Sequence, residues 1–274
     1  MLSDAELDAC AELLEELATY AAGRIVAERP RADQISTKTT LADWVTETDL
    51  AVERHVRAAV LERFPGHRVV GEEYGESGAE RAAATWYVDP VDGTTNFVHA
   101  LPWSSFSLAV VDDAGPAAGV VVDPYRGEVL SAVRGRGARR DGAPAVCSDA
   151  ASLTGGIVLT EMSAQSLWPG MTALMAALAD ADCVTRIMGS NALSLASVGA
   201  ARAVATAIGS FGPIDCCAGM LIARESGARV FAGTTEVSDN LSRALAGNEP
   251  LLCVAPGVAE ELHGLWANGA RDGD

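Results

Sequence analysis

Residues 86 to 97 read Trp-Tyr-Val-Asp-Pro-Val-Asp-Gly-Thr-Thr-Asn-Phe, and the fold and site are decided by this stretch. The apolar residues 86 to 88 predict the end of a buried strand, and Asp89 and Asp92 then place two carboxylates three positions apart. Residues 93 to 96 are typical of a helix start, where free N–H groups can hold an anion. Neighbouring carboxylates repel each other, and a hard divalent cation relieves that repulsion. The stretch therefore predicts a combined cation and phosphate site. The alternative is an ordinary Asp-Pro turn followed by a capped helix.

Acidic residues also mark three other boundaries between predicted elements. Asp49 closes a polar loop and begins a helical pattern, and Glu72 follows a short apolar run that ends at Gly71. Asp215 precedes the helical run 216–225. A single acid at a helix start usually serves only as a cap. Several such boundaries beside a phosphate-cradle motif instead favour a metal site shared between the elements.

These segments together resemble the signature set of the inositol monophosphatase family. The matching segments are Asp43-x-Val45-Thr46-x-x-Asp49, Gly71-Glu72-Glu73, Trp86-x-x-Asp89-Pro90-x-Asp92-Gly93-Thr94-x-Asn96-Phe97 and the late Asp215. The resemblance covers nearly the whole chain. It implies a magnesium-dependent, lithium-sensitive phosphatase, related to the fructose bisphosphatases, with a layered αβαβα sandwich. Members of the family are commonly homodimers, so a homodimer is implied as well.

The same resemblance implies a set of metal ligands. Glu72, Asp89 and the backbone carbonyl of Val91 would hold one magnesium ion, and Asp89, Asp92 and Asp215 would hold a second. Glu72 would also help to recruit a third ion. These are hard oxygen ligands, which is the kind that magnesium prefers.

Further residues receive catalytic and phosphate-binding roles from the resemblance. Thr94, oriented by Asp49, would position or deprotonate a metal-activated water, with Glu72 nearby and no covalent phosphoenzyme. Backbone N–H groups around Gly93 and Thr94 would hold the phosphate. Lys38, in a polar loop, would steady solvent or metal, and the alternative for it is a solvated loop lysine.

The predicted substrate wall departs from the inositol-phosphate enzymes. Ile208 takes the place of an acid that contacts substrate hydroxyls, and Val204 takes the place of an aspartate. Each hydrogen bond left unmade weakens recognition of a polyol by about 1–3 kcal/mol. The remaining polar candidates for substrate contact are Asp92, Ser190, Asn191 and Ser163.

Three functions stay open at this point. The first is hydrolysis of inositol phosphate or a similar polyol phosphate. The second is hydrolysis of a different small phosphate, such as histidinol phosphate, a sugar bisphosphate or 3′-phosphoadenosine phosphate. The bisphosphates are disfavoured because the substrate segment carries little positive charge beyond Arg186 and Arg202. The third is a non-catalytic binding relative, which the intact set of acidic residues disfavours.

Composition narrows the classes of partner. A net charge of −17 argues against general binding of nucleic acid or of anionic membranes, yet it allows a small phosphorylated metabolite because bound cations reverse the local field. The six cysteines show no metal or disulfide spacing, which predicts reduced, mostly buried thiols. No signal-peptide pattern or membrane-spanning run is present, so we expect a cytoplasmic protein.

The order of elements predicts an α+β half over residues 1–150, with most metal ligands, and an α/β half over 151–274, with the last ligand and the substrate wall. A helix is expected from Ser3, which forms a capping-box pattern with Glu6, to about Ala27, and a second from roughly Leu50 to Phe64, with Pro65-Gly66 as its stop. Three strands between residues 104 and 133 are expected to form antiparallel hairpins. Strand and helix patterns alternate from Ile157 to Phe231.

Overall fold

The computed structural model describes residues 1–28, 35–37, 44–162, 167–209, 211–238, 240–246 and 249–269. The predicted loop lysine Lys38, the motif residue Asp43 and the predicted substrate contact Ser163 lie outside these residues. The seven helices of the described part are α1 (Asp4–Ala27), α2 (Glu47–Arg63), α3 (Thr94–Val98), α4 (Met171–Asp180), α5 (Asn191–Gly199), α6 (Pro213–Glu225) and α7 (Ala259–Gly269). Two 3-10 turns span Leu241–Ala246 and Pro256–Val258.

The strands form two large sheets and one small pair. The pair is β1 (Ile35–Thr37) with β2 (Trp44–Thr46). The first sheet contains β3 (Arg68–Gly71), β4 (Gly75–Gly78), β5 (Thr85–Asp92), β6 (Ser105–Asp112), β7 (Gly115–Asp123), β8 (Glu128–Val133), β9 (Ala138–Arg140) and β10 (Ala143–Ala145). Its order is β10-β9-β8-β7-β6-β5-β3-β4. The second sheet contains β11 (Ile157–Glu161), β12 (Val184–Ile187), β13 (Ala205–Ile208), β14 (Arg229–Ala232), β15 (Thr235–Glu236) and β16 (Leu251–Val254). Its order is β12-β11-β13-β16-β14-β15.

The elements stack in five layers, which confirms the predicted αβαβα sandwich. Helices α1 and α2 pack on one face of the first sheet, and α5 and α6 pack on its other face. The second sheet covers the far side of α5 and α6, while α4 and α7 pack against each other as the fifth layer. The first sheet ends at Ala145 and the second begins at Ile157. The division into two halves near residue 150 stays a prediction.

The two middle-layer helices are buried all round because sheets cover them from both sides. Every residue from Ala192 to Gly199 and from Cys216 to Ala223 is buried. The helices also approach each other closely, since a Cβ on Gly219 would lie 2.7 Å from the carbonyl oxygen of Ala192. All six cysteines are free and buried, as the sequence predicts. This middle layer therefore forms the rigid support for the ends of both sheets.

Capping boxes fix where the two outer helices begin. The side chains of Ser3 and Glu6 each bond the other's backbone N–H at the start of α1, as predicted. Thr46 and Asp49 do the same for α2, which therefore begins at Glu47, three residues before the predicted start. The structure differs from the predicted start because the capping box draws residues 47 to 49, which are polar like the loop before them, into the first turn of the helix. Asp49 thereby lies in the first turn of α2.

The decisive stretch forms a longer strand than the sequence predicts. The sequence places the strand end at Val88, but β5 continues to Asp92 and pairs with β6. The register shifts between Asp89 and Asp92, where Pro90 has no N–H to donate to the ladder. This irregularity lies at the end of a central strand and places both acids beside the middle-layer helices.

Two C-terminal elements were not predicted. Strand β16 lies between β13 and β14 and is antiparallel to both. Its sequence, Leu-Leu-Cys-Val between Pro250 and Pro256, is a short apolar run bounded by turn residues, which is a strand signal. Helix α7 follows it. No helix in the described ranges is long and apolar enough to cross a membrane.

Candidate active site

The turn after β5 is held by two short-range hydrogen bonds. The Oδ1 atom of Asp89 accepts from the backbone N–H of Val91 at 3.1 Å. The hydroxyl of Thr94 donates to the carbonyl oxygen of Val91 at 2.9 Å. A carbonyl oxygen has two lone pairs, so that of Val91 keeps one position for a further donor or a cation. The turn thus presents a carboxylate and a carbonyl oxygen from adjacent positions.

Gly93 allows this turn to approach the neighbouring segment. Its φ of +88° lies in the left-handed region, which side-chain-bearing residues adopt at a cost. A Cβ at this position would lie 2.6 Å from the carbonyl oxygen of Gly189 and 3.2 Å from that of Trp103. Glycine is therefore required here both for backbone conformation and for space, at the start of the short helix α3.

Asp92 is tied to the start of α5. Its Oδ2 atom accepts from the N–H of Ala192 at 2.8 Å, and its Oδ1 atom accepts from the N–H of Asn191 at 3.2 Å. The hydroxyl of Ser190 also donates to Oδ2. These contacts place a carboxylate at the positive end of a helix, where negative charge is favoured.

Three further acids approach from other elements. Asp49 is fully buried, its Oδ2 accepts from the backbone N–H of Thr46 at 2.8 Å, and its Oδ1 has no hydrogen-bond partner among the described residues. Asp215, in the first turn of α6, accepts from the N–H of Gly212 at 2.5 Å. Glu72 lies in the exposed turn between β3 and β4. These three acids, from α2, α6 and the β3–β4 turn, add to the two acids of β5, and one of their buried oxygens has no hydrogen-bond partner among the described residues.

Clustering of these acids changes their ionisation. Burial raises the pKa of Asp49 to about 7, that of Asp92 to about 7 and that of Asp215 to about 6. Burial, and then the charges of Glu72, Asp92 and Asp215, raise the pKa of Asp89 well above its usual value. The charges of other acids add to the effect of burial in each case. Either a proton or a cation relieves the repulsion between these charges.

The donor set fits a hard divalent cation. All the predicted ligands offer carboxylate or carbonyl oxygen, and one further buried oxygen, Oδ1 of Asn191, has no hydrogen-bond partner in the described part of the chain. Within the same part, no three His, Cys, Asp or Glu side chains converge as a ready-made metal cage. The carboxylates of Asp89, Asp92 and Asp215 instead accept from backbone N–H groups. The ligand assignments therefore stay predictions that this donor chemistry supports.

Comparison with known proteins decides the family. The model of the inositol monophosphatase family matches residues 6–267. The Nus factor SuhB of Haemophilus influenzae is 34% identical over 213 residues, which are 76% of this chain and 80% of that protein. Inositol monophosphatase 3 of Solanum lycopersicum is 32% identical over 213 residues, 75% of this chain and 80% of that protein. The structure of a Thermotoga maritima IMPase superposes with a TM-score of 0.82 at 27% identity, covering 98% of this chain and 99% of that one.

The chain belongs to the inositol monophosphatase family. The resemblance in the motifs is thereby confirmed, and so is the type of fold. As a member of this family of magnesium-dependent phosphatases, the protein is a phosphoric monoester hydrolase. The roles of individual residues in this inositol monophosphatase family member remain predictions.

The residues predicted to contact substrate have different surroundings. The hydroxyl of Ser190 is buried and bonds Asp92, the N–H of Leu193 and Ser105. Asn191 is half-buried at the start of α5. Ile208 ends β13 and is fully buried in the core between the sheets. Ile208 therefore offers no polar group to a substrate. Any effect of this position on specificity would come from the absence of the acid that the inositol-phosphate enzymes are expected to carry there.

Two residues that hold the site together carry no assigned role in the sequence analysis. Asn96 donates from Nδ2 to the carbonyl oxygens of Trp103 and Met188, both at 2.7 Å. Glu161, buried at the end of β11, accepts from the N–H of Gly189 at 2.6 Å and from the hydroxyl of Ser194 at 2.6 Å. They clamp the segment before α5 from both sides. Asn96 belongs to the family motif without a role of its own there, and the sequence signal for Glu161 is an acid that ends an apolar run.

Glu161 is expected to make stability depend on pH. Burial raises its pKa to about 7, against the lowering effect of its hydrogen bonds. Because the pKa of Glu161 is higher in the folded protein than in the unfolded chain, protonated Glu161 stabilises the fold. This stabilisation is fully present below the unfolded pKa and is lost as the pH rises through about 7. Glu161→Gln should reduce the loss of unfolding free energy between pH 5.5 and 8.5 by about 2–3 kcal/mol. Urea unfolding in the presence of chelator measures it.

The exposed Glu15→Gln variant is the matched control for that experiment, and its pH dependence should equal that of the unaltered protein. If the unfolding free energy of Glu161→Gln varies with pH as it does in the unaltered protein, Glu161 is ionised throughout this range and the prediction is wrong.

Proposed function

We propose that this protein hydrolyses a small phosphomonoester by a magnesium-dependent reaction at the end of β5. The observation that carries the proposal is the turn after β5, where Asp89 and Asp92 are buried, the charges of Asp215 and Asp49 both act on Asp89, and Gly93 is left-handed. Such a cluster of buried carboxylates is costly to a fold that makes no use of it. Its donor chemistry suits a hard cation, and the adjacent turn suits an anion.

In this proposal the metal ligands are Glu72, Asp89, the carbonyl oxygen of Val91, Asp92 and Asp215, and they would hold two or three magnesium ions. When bound, magnesium supplies Lewis-acid activation of water and neutralises charge on the phosphate. The carboxylates contribute by offering oxygen ligands from three places in the fold, namely the β3–β4 turn, β5 and α6. Hydrogen bonds from Val91, Ala192 and Gly212 fix those carboxylates in place.

Thr94 and Asp49 are proposed to act on the attacking water. The hydroxyl of Thr94 is half-buried at the start of α3, and it donates to Val91 in this structure. Asp49 keeps one carboxylate oxygen without a partner among the described residues, which leaves it able to accept from a water or a hydroxyl. The backbone N–H groups of Gly93 and Thr94 are proposed to hold the phosphate, because the close approach to Gly189 keeps this turn rigid.

The substrate is proposed to be inositol phosphate or another small phosphate with fewer hydroxyl contacts. A fully buried isoleucine at position 208 offers no hydrogen bond to a polyol. Asn191 supplies the unpartnered Oδ1 atom that could accept from one substrate hydroxyl. Histidinol phosphate is the favoured alternative, because sugar bisphosphates and 3′-phosphoadenosine phosphate require a more basic pocket than a segment with only Arg186 and Arg202 provides.

Phosphate release from a panel of these compounds tests the proposal. The full chain is assayed with magnesium, with a chelator and with added lithium. We expect turnover of at least one phosphomonoester that the chelator abolishes and lithium inhibits. Turnover of histidinol phosphate but not of inositol phosphate would assign the changed substrate wall to specificity. No turnover of any compound would contradict the proposal and favour the non-catalytic binding alternative.

Two further predictions belong with this proposal. A homodimer is supported by exposed apolar side chains at the edge of the second sheet, where Ile157 and Val184 are register partners that are 36% and 39% exposed. Light scattering tests the dimer, and a monomer at micromolar concentration contradicts it.

A cytoplasmic location is supported by the six free, buried cysteines, and a marker fused to the chain tests it.

A further inference from the structure

The turn that carries Glu72 is attached to α2 as well as to its own strands. Strands β3 and β4 pair from Arg68 with Gly78 to Gly71 with Gly75, and residues 72 to 74 connect them. A turn of this kind at the edge of a sheet has few backbone hydrogen bonds of its own. A contact from another element can therefore add to what holds this turn, which carries Glu72.

Glu53 provides that contact from α2. Its carboxylate is fully buried and accepts from the backbone N–H of Glu73 at 2.7 Å and from that of Tyr74 at 3.0 Å. A Cβ on Gly71 would lie 2.1 Å from Oε1 of Glu53, so only glycine leaves room for this approach. Two charge-assisted hydrogen bonds thus bind the turn just after Glu72.

Arg57 completes the clamp one helical turn later. Its Nε donates to Oε1 of Glu53 at 2.8 Å, and its guanidinium also bonds the carbonyl oxygen of Gly75 and the hydroxyl of Ser77. The same guanidinium lies over the ring of Tyr74, 5.8 Å from its centroid. Arg57 therefore compensates the buried charge of Glu53 and binds the hairpin on the other side of the turn.

The clamp also sets the position of Asp49 relative to Glu72. Asp49 and Glu53 are four residues apart on α2 and so share one face of the helix. The charges of Glu73 and Glu72 both contribute to the raised pKa of Asp49, after burial, which agrees with their proximity. A single rigid helix thus carries one acid of the site and grips the turn that carries another.

We infer that Glu53, with Arg57, is a positioning residue that fixes Glu72 for magnesium binding. The inference rests on the proposed function, in which Glu72 is a magnesium ligand. Glu53 itself need not touch metal or substrate. Loss of its charge would let the turn move away, and groups that orient metal ligands typically change metal affinity by about 10–100-fold.

Glu53→Gln tests the inference, because it keeps the volume of the side chain and removes the charge. We expect the dissociation constant for magnesium, measured by calorimetry without substrate, to rise about 10-fold or more. The magnesium concentration for half-maximal phosphate release should rise in parallel, while kcat at saturating magnesium stays within about threefold. If Glu53 only stabilised the fold, the variant would yield less folded protein, but the folded part would bind magnesium with unchanged affinity.

Glu128→Gln is the matched control. Glu128 is also a buried acid that pairs with an arginine, Arg202. Arg202, however, follows the C-terminal end of α5, whereas Ser190, which bonds Asp92, lies at its N-terminal end. The magnesium affinity of Glu128→Gln should stay within about twofold of that of the unaltered protein. If Glu53→Gln fails to fold, Arg57→Lys keeps the positive charge, loses the forked contact and should weaken magnesium binding in the same direction.

An unchanged magnesium dissociation constant in folded Glu53→Gln, or in Arg57→Lys where Glu53→Gln does not fold, would overturn the inference. Failure of the proposed function gives a different result. In that case the unaltered protein releases no phosphate from any compound, while the calorimetric titration still compares the variants directly.

Discussion

Asp89→Asn is expected to lower magnesium-dependent phosphate release on the order of 10³-fold, because several kcal/mol of transition-state stabilisation depend on the bound ions. Asp89 is the one side chain proposed to contact both of the first two magnesium ions. An amide has the same shape but carries no charge, so both positions lose affinity together. Phosphate release at saturating magnesium measures the effect.

The same variant should not lose stability in the absence of magnesium. Asp89 is buried among like charges that raise its pKa, so its ionised form costs free energy in the folded protein. Thermal unfolding in chelator should give Asp89→Asn a melting temperature equal to or above that of the unaltered protein at pH 8. The exposed Asp113→Asn serves as control and should change neither quantity. Full turnover by Asp89→Asn would refute the assigned site.

Gly93→Ala is expected to damage both folding and catalysis. A left-handed alanine costs about 1–2 kcal/mol, and its Cβ would meet the carbonyl oxygen of Gly189 at 2.6 Å, so one of the two backbone segments must move. We expect a loss of about 2–4 kcal/mol in unfolding free energy. Displacement of the turn by about 1 Å would lower kcat on the order of 10²-fold. Urea unfolding and phosphate release measure the two effects.

Gly127→Ala separates conformational strain from steric contact. Gly127 also has a positive φ, +63°, but a Cβ there would meet nothing within 4 Å. This control should lose only about 1 kcal/mol of stability and keep full activity. Equal losses in Gly93→Ala and Gly127→Ala would mean that the contact with Gly189 does not matter.

The parts of the fold predicted from sequence depend on local signals. The capping residues Ser3 and Glu6, the Pro65-Gly66 stop after α2 and the apolar runs of β6 to β8 all appear in the structure near their predicted places. Each depends on neighbouring residues in the chain, which a sequence shows directly. The family motifs then supplied the layered arrangement that local signals could not.

The parts that were missed depend on distant contacts. The extension of β5 beyond Val88 requires pairing with β6 across the register shift, and the place of β16 requires strands far from it in sequence. Glu53 lies inside a helical pattern, where a buried acid looks like any surface acid until the turn at residue 73 approaches it. Sequence spacing identifies which acids could meet, but only the packing shows which backbone groups hold them.

The central place of β16 has a consequence for how the chain is made. In the second sheet β16 lies between β13 and β14 and pairs with both, and it follows the other described strands of that sheet along the chain. The described strands of the first sheet, by contrast, all precede residue 146. During synthesis from the N-terminus, the first sheet can pair while the second remains an incomplete sheet with open edges. Premature termination before residue 251 should therefore leave α6, and with it Asp215, against a sheet that lacks its central strand, so the nascent chain gains its complete site only after β16 has been synthesised.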